Sequence, residues 1–456
     1  MVRRRLLIRN GGSEANQRAR RLCLDALEAA LRGIDPTAAV QKWLRMEQGR
    51  LQIGDTPAAY PSKIRVIAVG KASSPMLTTA LKILRKRVVS GILVSPRNSS
   101  LKGTDTRIEV FRSSHPLPDE EGIRASRRVL ASIGRMQANE LLLCLISGGA
   151  SAMLPAPAGD ITLEDKRTVT QQLIQSRMPI HQINTVRRHL SELKGGKLVE
   201  RCKAGTIISL IISDVSGNVL SDIASGLTAA DPTTFRNAIN VLKEFKLWNS
   251  APQRVRNHLQ QGLAGNIPET PKPGNRIFRK VHNFVVADNR TACEAARRVL
   301  QKRRVPTTIM TSSVDMEARS LGKMLASVAR DSEHFGQPLK LPSALVFGGE
   351  ATVEVKGSGI GGRNQETALS TVERIEGLSG VAIAAFGTDG VDGNSPAAGA
   401  VVDSHSNVRA KRLRLRVRPF EERNDSYNFF RKLNDNIVTG PTGTNVGDLY
   451  LLIRAK

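Results

Sequence analysis

The feature that most constrains this chain is a rhythm: short apolar runs, several of them β-branched, alternate with segments of helical character. The runs fall at 64–69, 91–94, 108–111, 141–146 and 207–212. A strand as uniformly apolar as 141–146 has no polar face to give to water and must be covered on both sides. Strands of that kind belong to parallel sheets flanked by helices. The fold class expected is therefore α/β with a mostly parallel sheet. The chain's 456 residues exceed what one core usually serves, so two domains are expected, over 1–265 and 280–456. The stretch 250–280, with Pro268, Pro271 and Pro273, reads as the connection. Beyond it a second, smaller α/β pattern places strands at 284–287, 307–310, 345–347, 352–356, 381–386 and 449–453.

Local punctuation supports this division. Ser13 reads as the N-cap of a helix over 13–32, with Gly33 as its terminator. Thr162 and Asp165 have the spacing of a capping box and open a helix that runs to about 176.

Charge and composition narrow the function. Lys and Arg number 68 against 41 Asp and Glu, a net charge of +27, which raises nucleic-acid binding as a hypothesis. The charge is dispersed, however, and two Trp and three Tyr leave few platforms for stacking bases. A basic surface that draws in anionic substrates is preferred, with no specific nucleic acid as partner. No run approaches the ~18 apolar residues of a membrane helix, so no membrane partner is expected. Cys23, Cys144, Cys202 and Cys293 are too scattered for a disulfide framework or a zinc site. The basic N-terminus lacks a signal peptide's apolar stretch, and a cytoplasmic enzyme is expected.

Several segments could carry chemistry. Gly70-Lys71-Ala72-Ser73 follows strand 64–69, where backbone amides and an ammonium could meet an anion. It is not a P-loop, since Arg65 stands where that motif requires its first glycine. Ser147-Gly148-Gly149-Ala150-Ser151 follows 141–146 and reads either as an anion nest or as a tight strand-to-helix turn. Asp214, closing strand 207–212, could serve as a base, hold Mg2+ through water, or cap a turn. Arg187 and Lys194 could receive a carboxylate, whereas His189 reads as a packed histidine and His115 sits in a proline-flanked loop. In the second half, Gly357-Ser358-Gly359-Ile360-Gly361-Gly362 fits G-x-G-x-x-G between the expected strand 352–356 and a helix over 364–376, with Asp389 after the next strand. That arrangement would also describe a dinucleotide-binding unit and hence a dehydrogenase. Arg363 directly after the glycines, and the pairing of Asp389 with Asp392, favour a loop that handles phosphate with a metal.

Taken in order, these segments resemble the glycerate 2-kinase family, also called glycerate kinase class II. The resemblance rests on 145–155, 183–198, 213–234, Gly348-Gly349-Glu350, 361–366, 387–393 and 440–446. It implies a larger Rossmann-like domain and a smaller C-terminal α/β domain containing the MOFRL region, about 342–453, with the active site in the interdomain cleft. It further implies ATP- and Mg2+-dependent phosphorylation of D-glycerate to 2-phosphoglycerate. Similar chains have also carried the name hydroxypyruvate reductase, which leaves NAD(P)H-dependent reduction as the alternative. By resemblance the catalytic positions are Lys71, Asp214 and Arg363. The two cations would neutralise the migrating phosphoryl group and the carboxylate would orient or deprotonate the C2 hydroxyl. Closure of the domains would bring Lys71 and Arg363 together. Ser147, Gly148, Gly149, Ser151, Arg187 and Lys194 are expected to grip carboxylate or phosphate. Gly70, Gly361, Gly362 and Asn445 are expected at the nucleotide, and Asp389 and Asp392 at Mg2+. A homodimer is expected. Three positions depart from the family pattern: Ala150 for glycine, Leu227 for proline, and Asn218 for an aspartate, the last removing a carboxylate.

Overall fold

The computed structural model describes residues 2–47, 50–54, 61, 63–97, 99, 105–176, 178–338 and 340–456. They form two compact units, one of residues 36–286 and one that combines 1–35 with 287–456.

The first 35 residues join the second unit through helix α1, Glu14–Gly33, which Ser13 caps by accepting the Asn16 amide. Its buried face carries Ala19, Leu22, Cys23, Ala26, Leu27 and Ala30, at the spacing a helix needs to present one apolar stripe. Arg20, fully buried, bonds to Asp403 and Asp435 and donates to the Leu7 carbonyl at 2.9 Å. This places a segment expected in the N-terminal domain with the C-terminal one, because a helix's apolar stripe does not specify its partner. Gly33 does not terminate the helix as expected: it is the last helical residue, without a left-handed φ, and Ile34 is the C-cap. A Cβ there would come within 2.5 Å of the Ala295 methyl, so glycine lets two helices approach.

In the unit of residues 36–286, strand β1 (Lys63–Val69) leads into helix α2 (Ser73–Leu84), then β2 (Val88–Pro96), β3 (Ile108–Ser113) and β4 (Glu140–Ile146). Helices α3 (Leu163–Gln175) and α4 (Ile180–His189) precede β5 (Thr206–Ile212) and β6 (Val281–Ala287). The sheet order is β3-β2-β1-β4-β5-β6. The pairs β1–β2, β2–β3, β1–β4 and β4–β5 are parallel, and all seven residues of β4 are buried. The Thr162–Asp165 capping box is formed as expected, with Thr162 accepting the Asp165 amide at 3.1 Å. α3 and α4 cover a satellite core around Val169, Leu173, Val186 and Phe235.

In the second unit, helix α5 (Asn289–Lys302) leads to β7 (Thr307–Val314), β8 (Ser343–Gly349), helix α6 (Arg363–Leu369), β9 (Val381–Gly387), β10 (Gly399–Asp403), β11 (Asn436–Ile437) and β12 (Asp448–Arg454). These strands form a mixed sheet in the order β11-β10-β9-β12-β8-β7. Only β7–β8 is parallel among its pairs.

Several boundaries differ from expectation. Residues 284–287 close the first sheet as part of β6 and do not open the second. No strand forms at 352–356, where Thr352 makes a single bridge to Glu317, so the apolar alternation there lacked a partner edge. The helix at 364–376 is shortened to α6 and continues as turns. The stretch 250–280 contains a helix, Gln253–Leu263, with Pro252 at its N-cap and Pro268, Pro271 and Pro273 after it.

Candidate active site

The strand order of the first sheet reverses between β1 and β4. In an open α/β sheet this is where a crevice forms outside the carboxyl ends of the strands, and both glycine-bearing loops leave from that point. Gly70, at φ 115°, follows β1; a Cβ on it would lie 2.4 Å from the Ser147 carbonyl and hydroxyl. The loops are laced together: the Lys71 amide donates to the Gly148 carbonyl at 2.9 Å, and the Ser147 hydroxyl accepts the Ala72 amide at 2.9 Å. Gly148 leaves room for Asp214, whose Oδ2 would sit 2.2 Å from any Cβ there. Gly149, at φ 87°, caps the short helix Ala150–Met153 and faces His115. Ala150 thus begins a helical turn, a conformation alanine favours, and Leu227 is buried in the core.

The hydroxyls expected to donate to a ligand are used internally. Ser147 serves the backbone, and Ser151 lies 2.7 Å from Ser225, whose own hydroxyl donates to Asn184 Oδ1 at 2.8 Å. Ser151 is therefore the donor to Ser225, because a hydroxyl has a single hydrogen. Ala224 and Ser225 both hold left-handed φ, 51° and 56°, a conformation that costs on the order of 1 kcal/mol or more per non-glycine residue. The strain sits directly behind Ser151.

What remains for an anion is a set of cations. A hollow of about 10 Å3 is lined by Pro118, Ser151, Pro155, Lys166, Arg187 and Lys194. Lys166 and Lys194 are 5 % and 1 % exposed, and each ammonium has one hydrogen bond, to the carbonyls of Leu190 and Leu154 respectively. Burial, then repulsion from Arg187 and Lys197, brings Lys166 down to about 7. Burial, then Lys166 and Arg187, pushes Lys194 well below the usual lysine value. Burial lowers Arg187 to about 10, and its guanidinium has no ion-pair or hydrogen-bond partner among the described residues. The next residue, Arg188, instead pairs with Asp222 at 3.1 Å and Asp231 at 2.9 Å. The same helix thus presents one structural arginine and one uncommitted one. Desolvation, then the charges of Lys71 and Arg187, holds the His115 imidazole at about 4, so the ring is neutral near pH 7. His189 is packed as expected, fully buried between the Thr185 carbonyl and Phe235. Lys166 was not evident from sequence, although one signal was present. It occupies the buried face of α3, in the i, i+3, i+4, i+7 register with Val169, Thr170 and Leu173.

In the second unit, Arg363 begins α6. Its guanidinium bonds Asp448, 1 % exposed, and the exposed Glu350, so desolvation is outweighed and its charge is firmly held. Asp448 lies across from Gly349 and Gly387, at the ends of β8 and β9. Glycine 362 cannot cap α6 with a side chain, and Asp392 performs that task from 30 residues away. Its carboxylate accepts the Asn364 and Gln365 amides at 3.0 and 2.8 Å and the Gln365 side chain at 2.9 Å. Burial raises Asp392 to about 6. A carboxylate enclosed by amide donors does not fit the expected metal role. Asp389 accepts the Val391 amide at 3.1 Å, and no group of three metal-ligating side chains occurs among the described residues. Asn445 accepts the Gly447 amide at 3.2 Å, closing its own turn.

The G-x-G-x-x-G run is explained by the protein's own chain. Side chains at Gly357 and Gly359 would meet the Arg423 backbone at 2.4–2.5 Å, at Gly361 the Ser426 hydroxyl at 2.2 Å, and at Gly362 Asp392 at 2.4 Å. The run neither follows a strand nor has a left-handed glycine. It is not the strand–turn–helix cradle of a dinucleotide site.

All four cysteines are buried and free, and no helix among the described residues is long and apolar enough to cross a membrane.

Known proteins agree with this architecture along nearly the whole chain. Residues 22–260 match the family described as Domain of unknown function (DUF4147), and residues 343–448 match the MOFRL family. A glycerate 2-kinase from Pyrococcus horikoshii is 38% identical over 95% of this chain and 97% of its own. A crystal structure of glycerate kinase from Thermotoga maritima, 34% identical, superposes with a TM-score of 0.83 over 95% of this chain and 99% of that one. A relative from Agrobacterium vitis that carries a provisional hydroxypyruvate reductase name is 35% identical over 95% of this chain and 94% of its own. With a parallel sheet in the 3-2-1-4-5-6 order, a mixed MOFRL sheet and relatives matched from end to end, the chain belongs to the glycerate 2-kinase family.

Proposed function

We propose that the protein transfers the γ-phosphoryl group of ATP to the C2 hydroxyl of D-glycerate, giving 2-phosphoglycerate and ADP. The observation that carries this reading is the uncommitted Arg187, set with two buried lysines at the strand-order reversal of the first sheet. Cations buried without acids are costly unless an anion completes them, and glycerate and ATP are both anions. The names of the Pyrococcus and Thermotoga relatives support the same chemistry.

In this reading the C2 oxygen attacks the γ-phosphorus in line, the bond to the β–γ bridging oxygen breaks, and ADP departs. The hydroxyl proton passes to Asp214, whose carboxylate lies against Gly148. Lys71 and Arg363 balance charge on the non-bridging oxygens, where a loose transition state gains most. Gly70, Gly361, Gly362 and Asn445 act by shaping loops near the nucleotide. The helix-capping contacts of Asp392 leave it unsuited to Mg2+, so a divalent ion enters as part of the nucleotide substrate, on the phosphates.

Reduction of hydroxypyruvate is the poorer reading. The glycine run is filled by its own chain, and the first strand-to-helix turn reads Gly70-Lys71-Ala72-Ser73, not G-x-G-x-x-G. Purified protein is given D-glycerate, ATP and Mg2+ with the product identified by NMR, and separately hydroxypyruvate with NADH. Formation of 2-phosphoglycerate with ADP is expected; NADH oxidation without ADP release refutes the proposal.

A further inference from the structure

We propose that the hollow enclosed by Lys166, Arg187 and Lys194 is the subsite for the substrate's carboxylate, and that Lys166, on α3, is one of its binding residues. The inference rests on the kinase reading for the identity of the substrate and assigns an unplaced part of it.

Three properties of the hollow select its occupant. Its charge is of one sign: Lys166 faces Arg187 from α4, Lys194 from the following loop and Lys197, with His258 also in reach. Among the described residues, no acid offsets the charge of Lys166, Arg187 or Lys194. Its size is small, about 10 Å3, room for the centre of one water-sized group. A carboxylate, with two oxygens in one plane, suits such a space better than a phosphoryl group with three outer oxygens. Its donors are also sufficient. Each lysine makes one hydrogen bond, to a carbonyl that fixes it, and an ammonium has three donors. Arg187 adds a planar fork suited to a bidentate carboxylate. The remaining walls are Pro118, Ala152 and Pro155 with the hydroxyls of Ser151 and Thr170, so no carboxylate side chain lines the hollow.

The placement also suits the reaction. Ser151 lines the hollow and ends the loop whose Gly148 touches Asp214. A glycerate anchored by its carboxylate carries its hydroxyl on the adjacent carbon, one bond from the anchored group. An alcohol without an acid group would lack the anchor, so the subsite makes the enzyme selective for short 2-hydroxy acids.

An anion in the hollow favours the charged form of Lys166, which is held near 7 when the hollow is empty. Binding above that pH must therefore take up protons. D-glycerate is titrated calorimetrically into the full-length protein at pH 8, in two buffers of different ionisation enthalpy. The wild type is expected to take up a measurable fraction of a proton per glycerate bound. In Lys166→Met that uptake should fall by at least half, with affinity for D-glycerate reduced on the order of 30-fold and KM for ATP unchanged. Lys166→Arg, which keeps the charge, should recover most of the affinity without the uptake. Absence of proton uptake in the wild type overturns the proposal, whether or not the variants fold. So does a Lys166→Met protein whose KM rises for ATP and not for glycerate, which would make the hollow a phosphate site. Glycerate binding with proton uptake but no ADP formation would retain the subsite and refute the phosphoryl transfer.

Discussion

Gly148→Ala isolates the role of Asp214 without touching it. Gly148 lacks a left-handed φ, so alanine meets no backbone strain there. The new Cβ would lie 2.2 Å from Asp214 Oδ2, and real Cβ contacts begin near 3.0 Å. The carboxylate, at the end of a rotatable side chain, must therefore retreat by roughly 0.8 Å. The cost to stability should stay within about 1 kcal/mol. Catalysis is less tolerant: a displacement of ~1 Å in a positioned group costs on the order of 10²-fold in rate. Steady-state kinetics should show kcat reduced about 10²-fold with KM for ATP near normal, while thermal unfolding shows a shift of a few degrees at most. A kcat within twofold of wild type, in a protein of unchanged stability, would refute the assignment of Asp214 to the chemistry.

Arg363→Ala should lower kcat roughly 10³-fold with a modest change in ATP affinity, and a near-normal kcat would remove Arg363 from the reaction. The same change strands the buried Asp448, so unfolding temperature should drop as well; Arg363→Lys, which keeps a cation, separates the two effects. Asp392→Ala leaves the Asn364 and Gln365 amides without their acceptor and should cost about 1–3 kcal/mol on denaturant unfolding. A changed Mg2+ requirement without loss of stability would instead restore Asp392 as a metal ligand. Lys166→Met should stabilise the ligand-free protein by a few kcal/mol at pH 7. Because the lysine's value is lowered in the folded state, to about 7 from 10.5, the unfolded chain holds the extra proton between those values. Wild-type stability then rises with pH across that window, and the variant's advantage should shrink from pH 7 to pH 10. An advantage that grows would contradict the sign.

The sequence was informative where the physics is local. Ser13, Thr162 and Asp165 announced their caps because a cap is made within four residues. The run 141–146 announced a central strand because complete apolarity requires cover on both faces. The position of Lys71 and of the Ser147–Ser151 loop after two such strands was therefore legible, and with it half of the site. The glycine run 357–362 misled, since glycine permits close approach of any chain, ligand or protein. The partners were residues 423–426 and 392, distant in sequence.

By itself, then, the sequence determined the alternation of strands and helices, their caps, and the loops from which chemistry could be done. Tertiary structure decided which partner each group met. It sent the first 35 residues to the second unit through Arg20, Asp403 and Asp435. It turned Asp392 from a metal candidate into a helix cap, and it gathered Lys166, Arg187 and Lys194 around one hollow. Hydrogen bonding within a turn is fixed by neighbours along the chain. Burial of charge depends on what the whole fold brings alongside.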